Sequence, residues 1–477
     1  MLLLDSSTRQ RLWRRLAEIA EDYAEHVAAE RVSPELSVEK VRGLLARYDF
    51  AAPQDPLEAV EFAAGSLRRF QTHTPHPRYF GLFNPAPATM GVAADFLVAV
   101  FNPQMAAWSH SPFAAEVENH LCRAFGARFG YDPAQTDGVF CSGGAEANHT
   151  AVLAALVHRF PAFAHQGVRA LDGQPVLYVS REAHHSFLKA ARLCGLGTEA
   201  VREIPVNSRW SMETDELQIE IARDISAGHI PFLVVATAGT TNAGAIDPIP
   251  ESARVARSAG AWFHVDAAWG GAAALDPALR PVLEGIESAD SITFDAHKWL
   301  SAPMGAGVFL TRHPDILSRT FAVATDYMPR DAAGLPVVDP YQHSIQWSRR
   351  FIGLKVFLAL AVAGWDGYAA IVRHMAGMGV FLKAALETAG WKIENDTPLP
   401  IACFTDSTHP QGNTRGFLEA VVRKLVSSGR AWISSTVLAG SKPVLRACIT
   451  NYRTQPEDVE ALVQALAEAR SAVIAEY

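Results

Sequence analysis

Charge is scarce in this chain. Asp, Glu, Lys and Arg make up 19% of its 477 residues, below the share of about 25% common in soluble globular proteins. Its 42 basic residues against 50 acidic ones leave a net charge of −8, which excludes a basic nucleic-acid binder. At 49% hydrophobic residues it is neither disordered nor fibrous. Cysteine is scarce too. Cys122, Cys141, Cys194, Cys403 and Cys448 are widely spaced and include no C-x-x-C pair, so neither a disulfide framework nor a zinc site is expected, and a reducing, cytoplasmic compartment is. The first fifteen residues are too short and, with Asp5 and Arg9, too charged for a signal peptide. No run of about 18 apolar residues is found, so no membrane span is expected. The length predicts about three domains, or fewer large ones. The low charged share is expected to reflect extra burial, for example in a subunit interface.

What is present is patterned. Leu12, Leu16, Ile19, Tyr23 and Val27 recur at helical spacing over residues 7–30, and two further helical stretches follow before a proline-rich cluster at 72–88. From about 90 to 315, apolar strand-like runs (Val176–Ser180, Phe232–Thr237, Trp262–Asp266, Ser291–Phe294, Val308–Thr311) alternate with helical segments. That alternation predicts an α/β fold with a mostly parallel sheet covered on both faces. A loop over 322–345 and a long helix over 349–389, broken near Gly364, come next. The remainder reads as α+β.

Ligands in such sheets bind beyond the carboxyl ends of the strands, where this chain places distinctive polar residues. Val139-Phe140-Cys141-Ser142-Gly143-Gly144-Ala145-Glu146-Ala147-Asn148 reads as strand, glycine turn and helix start. It suits a structural turn or a phosphate cradle equally, and it matches neither the dinucleotide nor the P-loop pattern. Asp266 ends an apolar strand, as a helix cap or as the partner of a buried cation. Lys298, between His297 and Trp299, is a candidate Schiff-base lysine. His184-His185 lacks the companions of a metal site, so no metal is expected. An amine for an aldehyde, an acid for a pyridine nitrogen and amides for a phosphate together fit pyridoxal 5′-phosphate.

The ordered segments Ser-Gly-Gly-Ala-Glu-Ala-Asn, Glu-Ala-His-His-Ser, Gly-Thr-Thr-Asn-Ala-Gly, His-Val-Asp-Ala-Ala-Trp-Gly-Gly and Asp-Ala-His-Lys-Trp-Leu resemble the group II pyridoxal-phosphate-dependent amino-acid decarboxylases. The likeness runs on through Ser-Arg-Arg at 348–350 and Arg-Ala-Cys-Ile-Thr-Asn at 446–451. It implies fold type I with a seven-stranded sheet and a homodimer with its site at the subunit interface. It also implies an N-terminal dimerisation segment (1–85), a large cofactor domain (86–365) and a small C-terminal domain (366–477). By position, Lys298 holds the internal aldimine, Asp266 pairs with the pyridinium nitrogen and His184 stacks on the ring. Gly143, Gly144, Ala145 and His297 lie at the phosphate end, with Asp295 nearby and Thr241 near the ring. Ala145 stands where the family commonly has serine, which removes one hydroxyl contact to phosphate.

The implied reaction is α-decarboxylation of an L-amino acid to the primary amine and CO₂ through a quinonoid carbanion, with Tyr327 of the 322–345 loop protonating Cα. An aldehyde-forming oxidase, an aminotransferase or a carbon–carbon lyase is the alternative within the fold, and a non-catalytic binding protein is the alternative outside it. Leu82, Gln104 and Ala106 match the substrate-pocket positions. Their lining is smaller and more polar than the aromatic pattern, which favours a bulkier aliphatic or an acidic side chain. Arg78 is a candidate for a distal carboxylate.

Overall fold

The structure is a computed structural model that describes residues 2–329 and 331–476. Its centre is a seven-stranded sheet of β1 (Asp137–Cys141), β2 (Pro175–Ser180), β3 (Val201–Ile204), β4 (Ile230–Thr237), β5 (Trp262–Asp266), β6 (Ser291–Asp295) and β7 (Gly307–Thr311), in the order β1-β7-β6-β5-β4-β2-β3. Strands β2 to β6 pair in parallel, while β7 runs antiparallel to both β6 and β1. The parallel strands are near-continuous apolar runs because helices cover both faces, and every residue of β2, β5 and β6 is buried. Strand β3 has only four residues, of which the middle two, Arg202 and Glu203, are charged and not buried, so at the sheet edge it presents no apolar run to read.

A second sheet holds β8 (Trp391–Ile393), β9 (Ile401–Asp406), β10 (Ser434–Leu438) and β11 (Lys442–Cys448), all antiparallel, in the order β10-β11-β9-β8. The helix Gly353–Thr388 links the sheets. It breaks at Gly364, whose φ of 66° only glycine adopts without strain. A Cβ on Gly353 would meet Glu118, and one on Gly379 would meet Pro400 at 2.5 Å, so each half packs against different elements. By length and mean composition alone this helix is apolar enough to cross a membrane, although Lys355, Asp366, Arg373 and Lys383 interrupt it and leave no unbroken apolar run of that length. Its Val372, Met375, Leu382 and Leu386 are nevertheless fully buried in the protein core, as in a helix that joins two packed layers.

The N-terminal region forms the helices Ser6–His26, Val38–Leu45 and Pro56–Phe70. Asp5, Ser37 and Asp55 cap them by accepting backbone N–H bonds. None of the three buries a single residue.

Candidate active site

Register brings the polar residues together. Gly307 of β7 pairs with Cys141 on one side and with Asp295 on the other, so the glycine turn after β1 lies beside the end of β6. The fit leaves no room for side chains. A Cβ on Gly307 would lie 2.6 Å from Gly143 Cα and 2.8 Å from Asp295 Oδ1, and one on Gly144 would lie 2.9 Å from Asp295 Oδ2. The helix Gly144–Arg159 starts here without a side-chain cap at Gly143, leaving an amide-rich, positively polarised end. His297 stands close by, its Cε1 3.5 Å from a Cβ on Gly143, and its Nδ1 accepts from Ala306 N at 3.1 Å. Burial pushes its pKa down, which favours the neutral ring that this acceptor role needs.

Asp266 ends β5, next to Thr237 of β4 and Thr293 of β6. It is buried, and each oxygen accepts one bond, Oδ1 from Ala268 N (3.1 Å) and Oδ2 from Asn148 Nδ2 (2.8 Å). Lys298 follows β6 and keeps a partly exposed side chain, with Nζ 3.0 Å from Asp295 Oδ2. The same ammonium lies 5.5 Å from the centroid of Phe83, which stacks on Trp269 at 4.7 Å. His184 is exposed, and its Nδ1 accepts from Ser186 N (3.2 Å). Surrounding protein lowers the pKa of His184, with Asp266 opposing and Lys298 adding to the shift, so amine, carboxylate and imidazole share one field. Thr241 is half-buried, and its carbonyl accepts from Arg446 Nε at 2.8 Å.

Arg446, on β11, is the residue that motif reading passed over. It is buried, donates through Nη1 to Gly81 O (2.9 Å) and lies 4.9 Å over the same Phe83 ring as Lys298. Its Nη2 is buried with no partner among the described residues, as are Asp295 Oδ1 and Ser301 Oγ. Its only trace in the sequence was membership of the 446–451 segment.

Other expected residues are not brought here within one chain. Tyr327 is 75% exposed and stacks on Trp347 at 5.9 Å. Gln104 folds back so that its Oε1 accepts from Ala106 N (2.6 Å), and Ala106 is buried where its carbonyl accepts from Tyr341 N. Leu82, exposed, adjoins Phe83. Arg78 donates to Ala28 O in the N-terminal segment, away from the Phe83 cluster.

The chemistry of this set fits pyridoxal phosphate: a lysine amine, a buried carboxylate, a crowded glycine cradle at a helix start, and a guanidinium nitrogen left without a partner. Residues 44–406 match the pyridoxal-dependent decarboxylase conserved domain. The chain is 29% identical to an aromatic-L-amino-acid decarboxylase of Bacillus atrophaeus over 98% of this chain and 97% of the relative. It is 32% identical to an L-2,4-diaminobutyrate decarboxylase of Rhizobium meliloti over 82% of this chain and 78% of the relative. Its fold superposes on mouse CSAD with a TM-score of 0.91 at 26% identity, covering 98% and 99% of the two chains. This chain belongs to the pyridoxal-dependent decarboxylases, lyases that act on amino acids with pyridoxal phosphate as cofactor.

Proposed function

We propose that the chain removes the α-carboxylate of an L-amino acid to give the primary amine and CO₂, with Lys298, Asp266, His184 and Tyr327 as its catalytic residues. One observation carries this reading: an amine, a buried carboxylate and a glycine-lined helix start converge at the ends of β6, β5 and β1. Pyridoxal phosphate, when bound, supplies a sink for the electron pair left when the Cα–carboxylate bond breaks. Lys298 would hold its aldehyde carbon through the side-chain amine. Asp266 keeps a proton on the ring nitrogen, because a carboxylate favours a cation beside it. His184 would cover one ring face. Gly143, Gly144, Ala145 and His297 would bind the phosphate, with Asp295 nearby and Thr241 near the ring.

Arg446 extends the reading. Its free Nη2 can hold the departing carboxylate in a fixed orientation, the kind of planar, charge-assisted contact for which arginine is suited. Tyr327 then delivers the proton to Cα when the 322–345 loop closes. The exposed apolar side chains of the N-terminal helices support a homodimer joined through residues 1–85, next to the cofactor domain (86–365) and small domain (366–477). The relatives' names cover aromatic and diaminobutyrate substrates, so family membership alone does not select a side chain. An amino-acid panel scored for CO₂, amine and peroxide tests the reading. Stoichiometric amine and CO₂ without peroxide supports it, and aldehyde with peroxide favours the oxidative alternative.

A further inference from the structure

Behind Asp266 the sheet holds a buried polar chain that the proposed chemistry has not used. Asn148 Nδ2 reaches Asp266 Oδ2 (2.8 Å) and Ser186 Oγ (2.9 Å), while Asn148 Oδ1 meets Thr293 Oγ1 (2.7 Å) and His264 Nε2 (3.3 Å). His264 Nδ1 lies 2.8 Å from Ser291 Oγ, to which Trp262 Nε1 donates at 2.8 Å. All seven residues are buried. We propose that Asn148, backed by His264 and Ser291, is a positioning residue that fixes the Asp266 carboxylate and so sets how tightly the site grips the ring nitrogen of pyridoxal phosphate. This rests on the reading of Asp266 as that nitrogen's partner.

The direction of the chain follows from donor counting. Trp262 Nε1 can only donate, so Ser291 accepts from it and its own hydroxyl is free to donate to His264 Nδ1. His264 Nε2 faces only acceptors, the Asn148 carbonyl and Thr293 Oγ1 (3.2 Å), whose own hydroxyl is donated to Asn148, so the ring carries its proton on Nε2. Burial lowers its pKa to about 4, which keeps the ring neutral at neutral pH. With its oxygen so engaged, Asn148 presents its NH₂ to Asp266. The bonds from His264 and Thr293 to Asn148 and from Asn148 to Asp266 are donated toward the carboxylate, and aligned bonds strengthen one another away from water. The Ala268 N–H holds the other oxygen, so the carboxylate plane is held from two sides and lone pairs remain for a ring N–H.

The test is titration of cofactor-free protein with pyridoxal phosphate and with its deaza analogue, in which carbon replaces the ring nitrogen. Asn148→Leu should weaken pyridoxal phosphate about tenfold or more, the scale of one bond to a charged group, and leave the analogue within about twofold. Asn148→Ser, which keeps a donor, should recover part of the loss. Ser291→Ala breaks the chain without disturbing the space beside Asp266, and should shift the ratio the same way by about two- to threefold. Equal loss for both ligands, or an unchanged ratio in Ser291→Ala, would overturn the relay. Wild-type protein that binds the two ligands equally would instead remove Asp266 as the nitrogen's partner, and the relay with it.

Discussion

The cofactor floor and the N-terminal flank are built on opposite terms. At the floor, Asp266, Asn148, His264, Thr293 and Ser291 are buried and bonded to one another across β5, β6 and the helix Gly144–Arg159. On the flank, helices with no buried residue carry Trp13 and Leu16 outward, and Phe96, Val100, Phe101 and Phe113 are exposed nearby. Fixing polar groups in a dry interior is tolerable only when each has a partner, and the floor satisfies that within one chain. Apolar surface gathered on one side of a chain marks a surface made for more protein. The floor is therefore complete in a monomer, whereas the flank and Tyr327 leave large apolar and aromatic side chains exposed. That contrast accords with the proposed dimer.

The sharpest way to break the contrast is at the floor. Lys298→Ala should cut CO₂ release by at least about 10³-fold, since no other group can take over its covalent role; near-normal turnover by folded variant would contradict its assignment. Arg446→Met should lower kcat/KM by about 10²-fold, mostly through KM, if its free Nη2 holds a carboxylate. A fall in stability with KM unchanged would leave it as a tie between Thr241 and Gly81. At the loop, Tyr327→Phe should divert most product to aldehyde, ammonia and peroxide, and an unaltered amine yield would remove Tyr327 from proton delivery. On the flank, Trp13→Asp should halve the mass seen by light scattering, because a charge buried in an apolar contact is not tolerated. A wild type already of single-chain mass would end the dimer reading. The smallest effect is expected from Ala145→Ser, whose added hydroxyl should tighten cofactor binding by about three- to tenfold.

The floor was legible in the sequence where chemistry travels in motifs. Lys298, Asp266 and the glycine turn each follow an apolar run, and the strands predicted at 262–266 and 308–311 lie within a residue of those observed. Asn148 was quoted but assigned no role, because its importance lies in a contact with Asp266, 118 positions away, and nothing in its own helix signals that. Arg446 escaped for a similar reason. It sits on a strand of the second sheet, and only folding brings it over Phe83. The edge strand β3 and the short β8 lack the apolar length that reveals a strand. Tyr327 and Gln104 belong to exposed segments outside the sheets, where local periodicity encodes no role.

Borohydride reduction of the holoprotein followed by peptide mapping tests the central claim most directly. Reduction should fix a pyridoxyl group on the peptide containing Asp295-Ala296-His297-Lys298-Trp299, with the modification on Lys298. A pyridoxyl group on any other lysine, or none on a protein that retains decarboxylase activity, would contradict the account.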